Sequence, residues 1–184
     1  SMLEKKKGDF YPWSLSAGLI GASYLAQICH ELNIDFELAI FNRGFVSDEN
    51  ETETNYLSRK MSVSSMLNTN YGSNAENYFN TTNHYFVKDF KDSWKDNYEK
   101  FIGLVDFSRK LRDSIDNIDI KNEIPPISMF ERSTNVDERN IMYASKRLLT
   151  HPSNSKMLVV LSDGMTRGSL SDLKNSINYA TKNN

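Results

Sequence analysis

The chain of 184 residues has a single cysteine, Cys29, so no internal disulfide can staple it. A lone thiol fits a reducing compartment, and the cytoplasm is the expected location. No apolar run approaches the roughly 20 residues needed to span a bilayer. Lys5, Lys6 and Lys7 have no apolar run behind them, which excludes the pattern of a secretory signal. Neither sign of charge dominates. Lys and Arg number 22 and Asp and Glu 24, a net charge of -2 that gives no electrostatic reason to expect nucleic acid or anionic lipid. The P-loop, the dinucleotide glycine fingerprint, G-x-S-x-G and H-E-x-x-H are all missing, so none of those chemistries is indicated. The three histidines, His30, His84 and His151, lie far apart without metal-ligand spacing and read as helix-face or loop residues.

What is present fits one globular domain over residues 1–184, with 39% hydrophobic and 25% charged residues. Leu15, Leu19, Ala22, Ala26 and Cys29 recur at helical spacing and predict a helix over Leu15–Leu32, stopped at Asn33. Cys29 falls on that stripe as a small core residue, with no feature that marks a nucleophile. Ile34–Phe41 is nearly all apolar and predicts a strand covered on both faces, the αβ step of a doubly wound sheet. Residues 43–83 weaken into a polar, Asn-rich insertion, with a short helix over Tyr56–Leu67. His84–Phe90 alternates like an edge strand. Helices are predicted from Trp94 onward, over Asn135–Leu149 and over about Ser169–Lys182, and two prolines make Ile124–Phe130 irregular.

The most informative stretch is Lys156–Leu173, KMLVVLSDGMTRGSLSDL. The apolar run Met157–Leu161 predicts a buried strand that stops at Ser162-Asp163-Gly164. In an open α/β sheet the loops at the carboxyl ends of strands form the ligand crevice. A carboxylate there suits a hard divalent cation such as Mg²⁺. Ser-Asp-Gly is also a good turn in its own right, with the Asp bonding nearby backbone.

The surroundings resemble the fourth strand and metal loop of a von Willebrand factor A domain. More narrowly they resemble the C-terminal domain of the CobT-type cobaltochelatase subunit, phage-encoded relatives included. The residues that carry the likeness are Asn135-Val136-Asp137, Ala144, Arg147-Leu148, Pro152, the apolar run and Ser162-Asp163-Gly164, in that order. Residues 25–41 resemble the family's first helix and second strand, and residues 84–97 its approach to a Trp-bearing helix. The resemblance implies a three-layer, Rossmann-like α/β fold with helices on both sheet faces. It also implies a metal site called MIDAS, in which Asp163 matches the fourth-strand Asp. Asn135 falls where the family has a Thr, Thr134 beside it supplies a hydroxyl, and Asp137 matches the second Asp of the pattern. Asp137 also reads as a carboxylate favoured at a helix N-terminus.

The family's D-x-S-x-S loop does not occur, and no apolar strand precedes the first helix or follows the last one. Ser14-Leu15-Ser16 keeps an S-x-S that a helix N-cap explains. Asp106-Phe107-Ser108 lies in helical periodicity. The expected function is a non-enzymatic protein-interaction module. The resemblance implies a CobS/MoxR-type AAA+ ATPase as partner and a divalent cation, Mg²⁺ for example, near Asp163. Two alternatives stand: a metal-dependent hydrolase using Asp163, Asp137 and Asp106, and a structural protein in which Asp163 only closes a turn.

Overall fold

The structure, a computed structural model, describes residues 4–6, 9–11, 13–44, 51–72, 81–113, 136–162 and 168–182. Among them the chain is mixed α/β. Strands β1 (Glu4–Lys6) and β2 (Asp9–Tyr11) form an antiparallel pair, Lys6 opposite Asp9, separated by two residues of which one is Gly8. Helix α1 (Trp13–Glu31) follows. It ends at Asn33, whose φ of 54° is the left-handed region that asparagine tolerates. The Ile34 N–H donates to the Cys29 carbonyl at 2.8 Å and the Asn33 N–H to that of His30 at 3.2 Å, the two bonds of a Schellman stop.

Strand β3 (Leu38–Gly44) pairs antiparallel with β4 (Thr81–Lys88), with a bulge between Leu38 and Ala39. Between them lies α2 (Glu53–Tyr71). Its Thr52 N-cap hydroxyl accepts from the Asn55 N–H at 3.3 Å, and it ends at Gly72, φ 94°, whose N–H donates to the Asn68 carbonyl. Helices α3 (Trp94–Asp113), α4 (Asp137–Thr150) and α5 (Leu170–Lys182) complete the described chain.

The side chains of β3 and β4 divide by strand alternation. Leu38, Ile40, Tyr85 and Val87 pack on a core built by α1 and α3: Leu19, Ala26, Trp94, Phe101 and Leu104. Phe101 is fully buried, and Trp94 stacks edge-on to Phe36 while its indole N–H donates to Gln27 at 3.3 Å. The opposite side, His84 and Phe86, meets α4. Asn42 and Asn83, both buried, satisfy each other across the ladder at 3.1 Å.

Two expectations change. The strand predicted over Ile34–Phe41 begins at Leu38 and runs to Gly44, because its ladder exists only where β4 faces it. Met157–Leu161, expected as a buried strand, belongs to no ladder among the described residues. Met157 is 76% exposed and Val159, Val160 and Leu161 between 39 and 48%. An apolar run becomes a strand only where a neighbour takes up its backbone groups. The described strands pair only antiparallel, so the parallel doubly wound sheet is not among them. The polar insertion at 43–83 contains the whole of α2 and the start of β4, and the irregular stretch predicted at Ile124–Phe130 lies outside the described residues.

Candidate functional site

The first turn of α4 differs from an ordinary amphipathic start. Asp137, Glu138 and Asn140 are all buried there, beside Val136. Two carboxylates at a helix N-terminus face its partial positive charge, which favours them electrostatically. The Asn140 side chain folds back to donate to the Val136 carbonyl at 3.1 Å, and its own Oδ1 is buried with no hydrogen-bond partner among the described residues. Such an atom costs stability, about 1–3 kcal/mol for a neutral group.

Two other stretches close on this turn. The Ser162 hydroxyl points to Asp137 Oδ2 at 3.5 Å, a long contact at the limit of hydrogen bonding. Gly168 lies directly against the Glu138 carboxylate, so that a β-carbon at 168 would overlap it. Ser176 of α5 donates to the Glu138 carbonyl at 2.9 Å and is itself buried. Ser162 and Gly168, the described residues on either side of 163–167 in the sequence, therefore both meet the first turn of α4.

Of the residues expected at the site, Asp137 is the first residue of α4 and is buried. Thr134, Asn135 and Asp163 lie outside the described residues. Their chain neighbours Val136 and Ser162 are described, and through Asp137 the structure joins them. Asp106 is not brought to this turn. It is exposed on α3, which packs on the other face of the β3–β4 pair from α4. Among the described residues no cluster of three or more His, Cys, Asp or Glu side chains is placed to hold a metal.

Further along α4 the helix is tied to the sheet by Arg147. Its guanidinium grips Glu37 with two nitrogens, at 3.1 and 2.5 Å, reaches Asp89 at 2.9 Å and covers the Phe86 ring at 4.4 Å. Glu37 precedes β3 and Asp89 follows β4, so one side chain fixes the helix to both strand ends. His84 stacks on Tyr143 with ring centroids 4.2 Å apart. Burial, and then the nearby Arg147 charge, hold the His84 imidazole below its usual pKa. Lys88 is buried and donates to the carbonyls of Phe36 at 2.7 Å and Asp89 at 2.9 Å; burial pulls its pKa down against the opposing pull of Asp92, Asp35, Asp89 and Glu37.

Two shallow clefts flank α4. One, of about 340 Å³, lies over His84, Phe86 and Tyr143. The other, of about 510 Å³, runs between α4 and α5 and is bordered by Glu138, Arg139, Lys146 and Asp172. Sequence reasoning missed Glu138, Asn140, Gly168 and Ser176. Only Glu138 carries a local signal, as a second acid in the first turn; Gly168 and Ser176 reach it only through the tertiary fold, and Asn140 is marked by its burial. No family model, no curated protein and no solved structure matches the chain.

Proposed function

We propose that this chain is a non-enzymatic protein-interaction module with the three-layer fold of a von Willebrand factor A domain, similar to the CobT-type cobaltochelatase domain. In this reading its partner is a CobS/MoxR-type AAA+ ATPase, and the contact runs through a divalent cation. One observation supports it above the others: both ends of the loop containing Asp163 close on the first turn of α4, Ser162 on Asp137 and Gly168 on Glu138. Of the four residues named for the site, Asp137 belongs to that closure, Asp163 follows Ser162, and Asn135 and Thr134 lie two and three residues before Asp137 in the chain.

The donor chemistry fits. Carboxylate, amide and hydroxyl oxygens are what Mg²⁺ or Mn²⁺ takes, and sulfur and imidazole are missing from this turn. Asp163 and Asp137 would hold such an ion, with Thr134, Asn135 and Ser162 as neutral donors. A metal held there would offer a coordination position to an acidic side chain of the partner. The hydrolase alternative asks Asp106 to join Asp137, and the two residues sit on helices at opposite faces of the β3–β4 pair.

Calorimetric titration tests the metal. Wild type is expected to bind Mg²⁺ and Mn²⁺, and Asp163→Ala and Asp137→Ala to lose that heat. Null titrations of all three proteins remove the cation from the account. Co-purification with a MoxR-type ATPase tests the partner: a complex that survives EDTA and Asp163→Ala alike would contradict a metal-mediated contact.

A further inference from the structure

Helix α1 is apolar on two sides. From Trp13 to Cys29 it contains no charged residue. Leu19 and Ala26 point one stripe into the core. Ile20, Tyr24 and Ile28, with Leu32 just past the helix end, recur every four residues on the other side and are 43, 68, 51 and 65% exposed. A helix that is apolar all round belongs in an interior. This outer stripe is continuous with the unpaired apolar run. Leu161 Cδ1 lies 3.9 Å from where a β-carbon on Gly21 would stand, and Gly21 sits within the stripe. Among the described residues Met157–Leu161 makes no backbone-to-backbone hydrogen bond, so its N–H and C=O groups are open to a ladder.

We propose that this surface is where two copies of the chain meet, with Met157–Leu161 pairing antiparallel to the same residues of the second copy across a two-fold axis. Three features select a second copy as occupant. First, the face is extensive: four large apolar residues of the stripe and four of the run are each at least 39% exposed. Monomers seldom leave so much apolar surface uncovered, and a standard interface takes about 800 Å² from each partner. Second, the run matches itself. Centred on Val159, the pairing sets Met157 against Leu161 and Leu158 against Val160, with no charge in the five residues to oppose its like. Third, neither the stripe nor the run presents a charge by which an acidic or basic partner would be chosen.

The test is the mass of the full chain in solution by sedimentation across a concentration series. Wild type is expected to dimerise, equally well with EDTA present, which separates this surface from the metal reading. Ile28→Glu and Val160→Lys are each expected to abolish the dimer with the far-UV circular dichroism unchanged. In a Cys29→Ser background Val159→Cys is expected to oxidise to a covalent dimer, because facing residues of an antiparallel pair lie about 4.5–5.5 Å apart, within disulfide range. That variant keeps the face apolar and decides the matter if the charged ones unfold. A wild type that stays monomeric overturns the proposal and leaves the face to another occupant. So does a dimer that ignores both charges, or a folded Val159→Cys dimer that does not crosslink.

Discussion

The two sides of the β3–β4 pair are built on different principles. Toward α1 and α3 the interior is hydrocarbon and aromatic, with Phe101 fully buried among Leu19, Trp94 and Leu104. Toward α4 and α5 the buried side chains are Asp137, Glu138, Asn140, Ser145 and Ser176. The first kind of interior drives folding by removing apolar surface from water. The second kind costs desolvation and returns it only through hydrogen bonds and pairing. A chain that buries acids and amides at one helical turn gives up stability there. That choice makes sense where those groups have something to hold.

The contrast can be broken from either side. The largest effect is expected in the apolar half: Phe101→Ala removes a fully buried ring and should cost about 3–5 kcal/mol in urea unfolding. A loss under about 1 kcal/mol would mean that this core does not carry the fold. Next is Arg147→Met, which leaves the largely buried Glu37 carboxylate without its two-nitrogen partner and should cost about 1–3 kcal/mol. Arg147→Lys keeps the charge but not the two-nitrogen grip or the cover over Phe86, and is expected to restore only part of the loss.

Gly168→Ala sets a methyl group against the Glu138 carboxylate and should cost about 1–2 kcal/mol, mostly recovered in a Glu138→Ala background. Additive losses in that double variant would mean that the loop does not return to α4. A smaller, pH-dependent effect is expected at His84. Its folded-state pKa lies below the unfolded value of 6.5, so on acidification the unfolded chain takes up the proton first. The stability it contributes is complete above pH 6.5 and is lost as pH falls through the folded pKa. His84→Phe keeps a ring on Tyr143 and should flatten that part of the stability profile relative to wild type. The smallest change is expected at Asn140→Leu, within about 0.5 kcal/mol of wild type. It removes a buried oxygen that no described group satisfies, and the Val136 carbonyl keeps the N–H groups of Arg139 and Asn140.

The helices are the most legible part of the sequence. The 3.6-residue stripe of Leu15, Leu19, Ala22 and Ala26 and the stop at Asn33 both read directly onto α1 and its Schellman end. Helix α2 runs through Asn68–Tyr71, where asparagine and threonine weaken the local signal. Its boundaries are set by the Thr52 cap and by Gly72 more than by the composition between them. The β1–β2 hairpin left only Gly8 as a clue in a lysine-rich stretch. Met157–Leu161 shows the limit of pattern reading. Five apolar residues define a segment fit for a strand, but the strand needs a partner that local composition does not name. At the site, Asp137 is named through the resemblance and as a carboxylate suited to a helix N-terminus, and the structure places it in the first turn of α4. Gly168 against Glu138 was not legible, since that contact spans thirty residues and exists only once the loop has returned.

The central proposal is that Asp163 and the first turn of α4, where Ser162 and Gly168 meet Asp137 and Glu138, together hold a divalent cation. The most direct measurement is paramagnetic broadening of amide signals in isotope-labelled protein as Mn²⁺ is added. The account predicts that Asp137, Glu138, Ser162 and Gly168 broaden first and that α1 amides from Leu25 to Glu31 stay sharp, with the effect lost in Asp163→Ala. Broadening centred elsewhere, or none at the turn of α4, would contradict it.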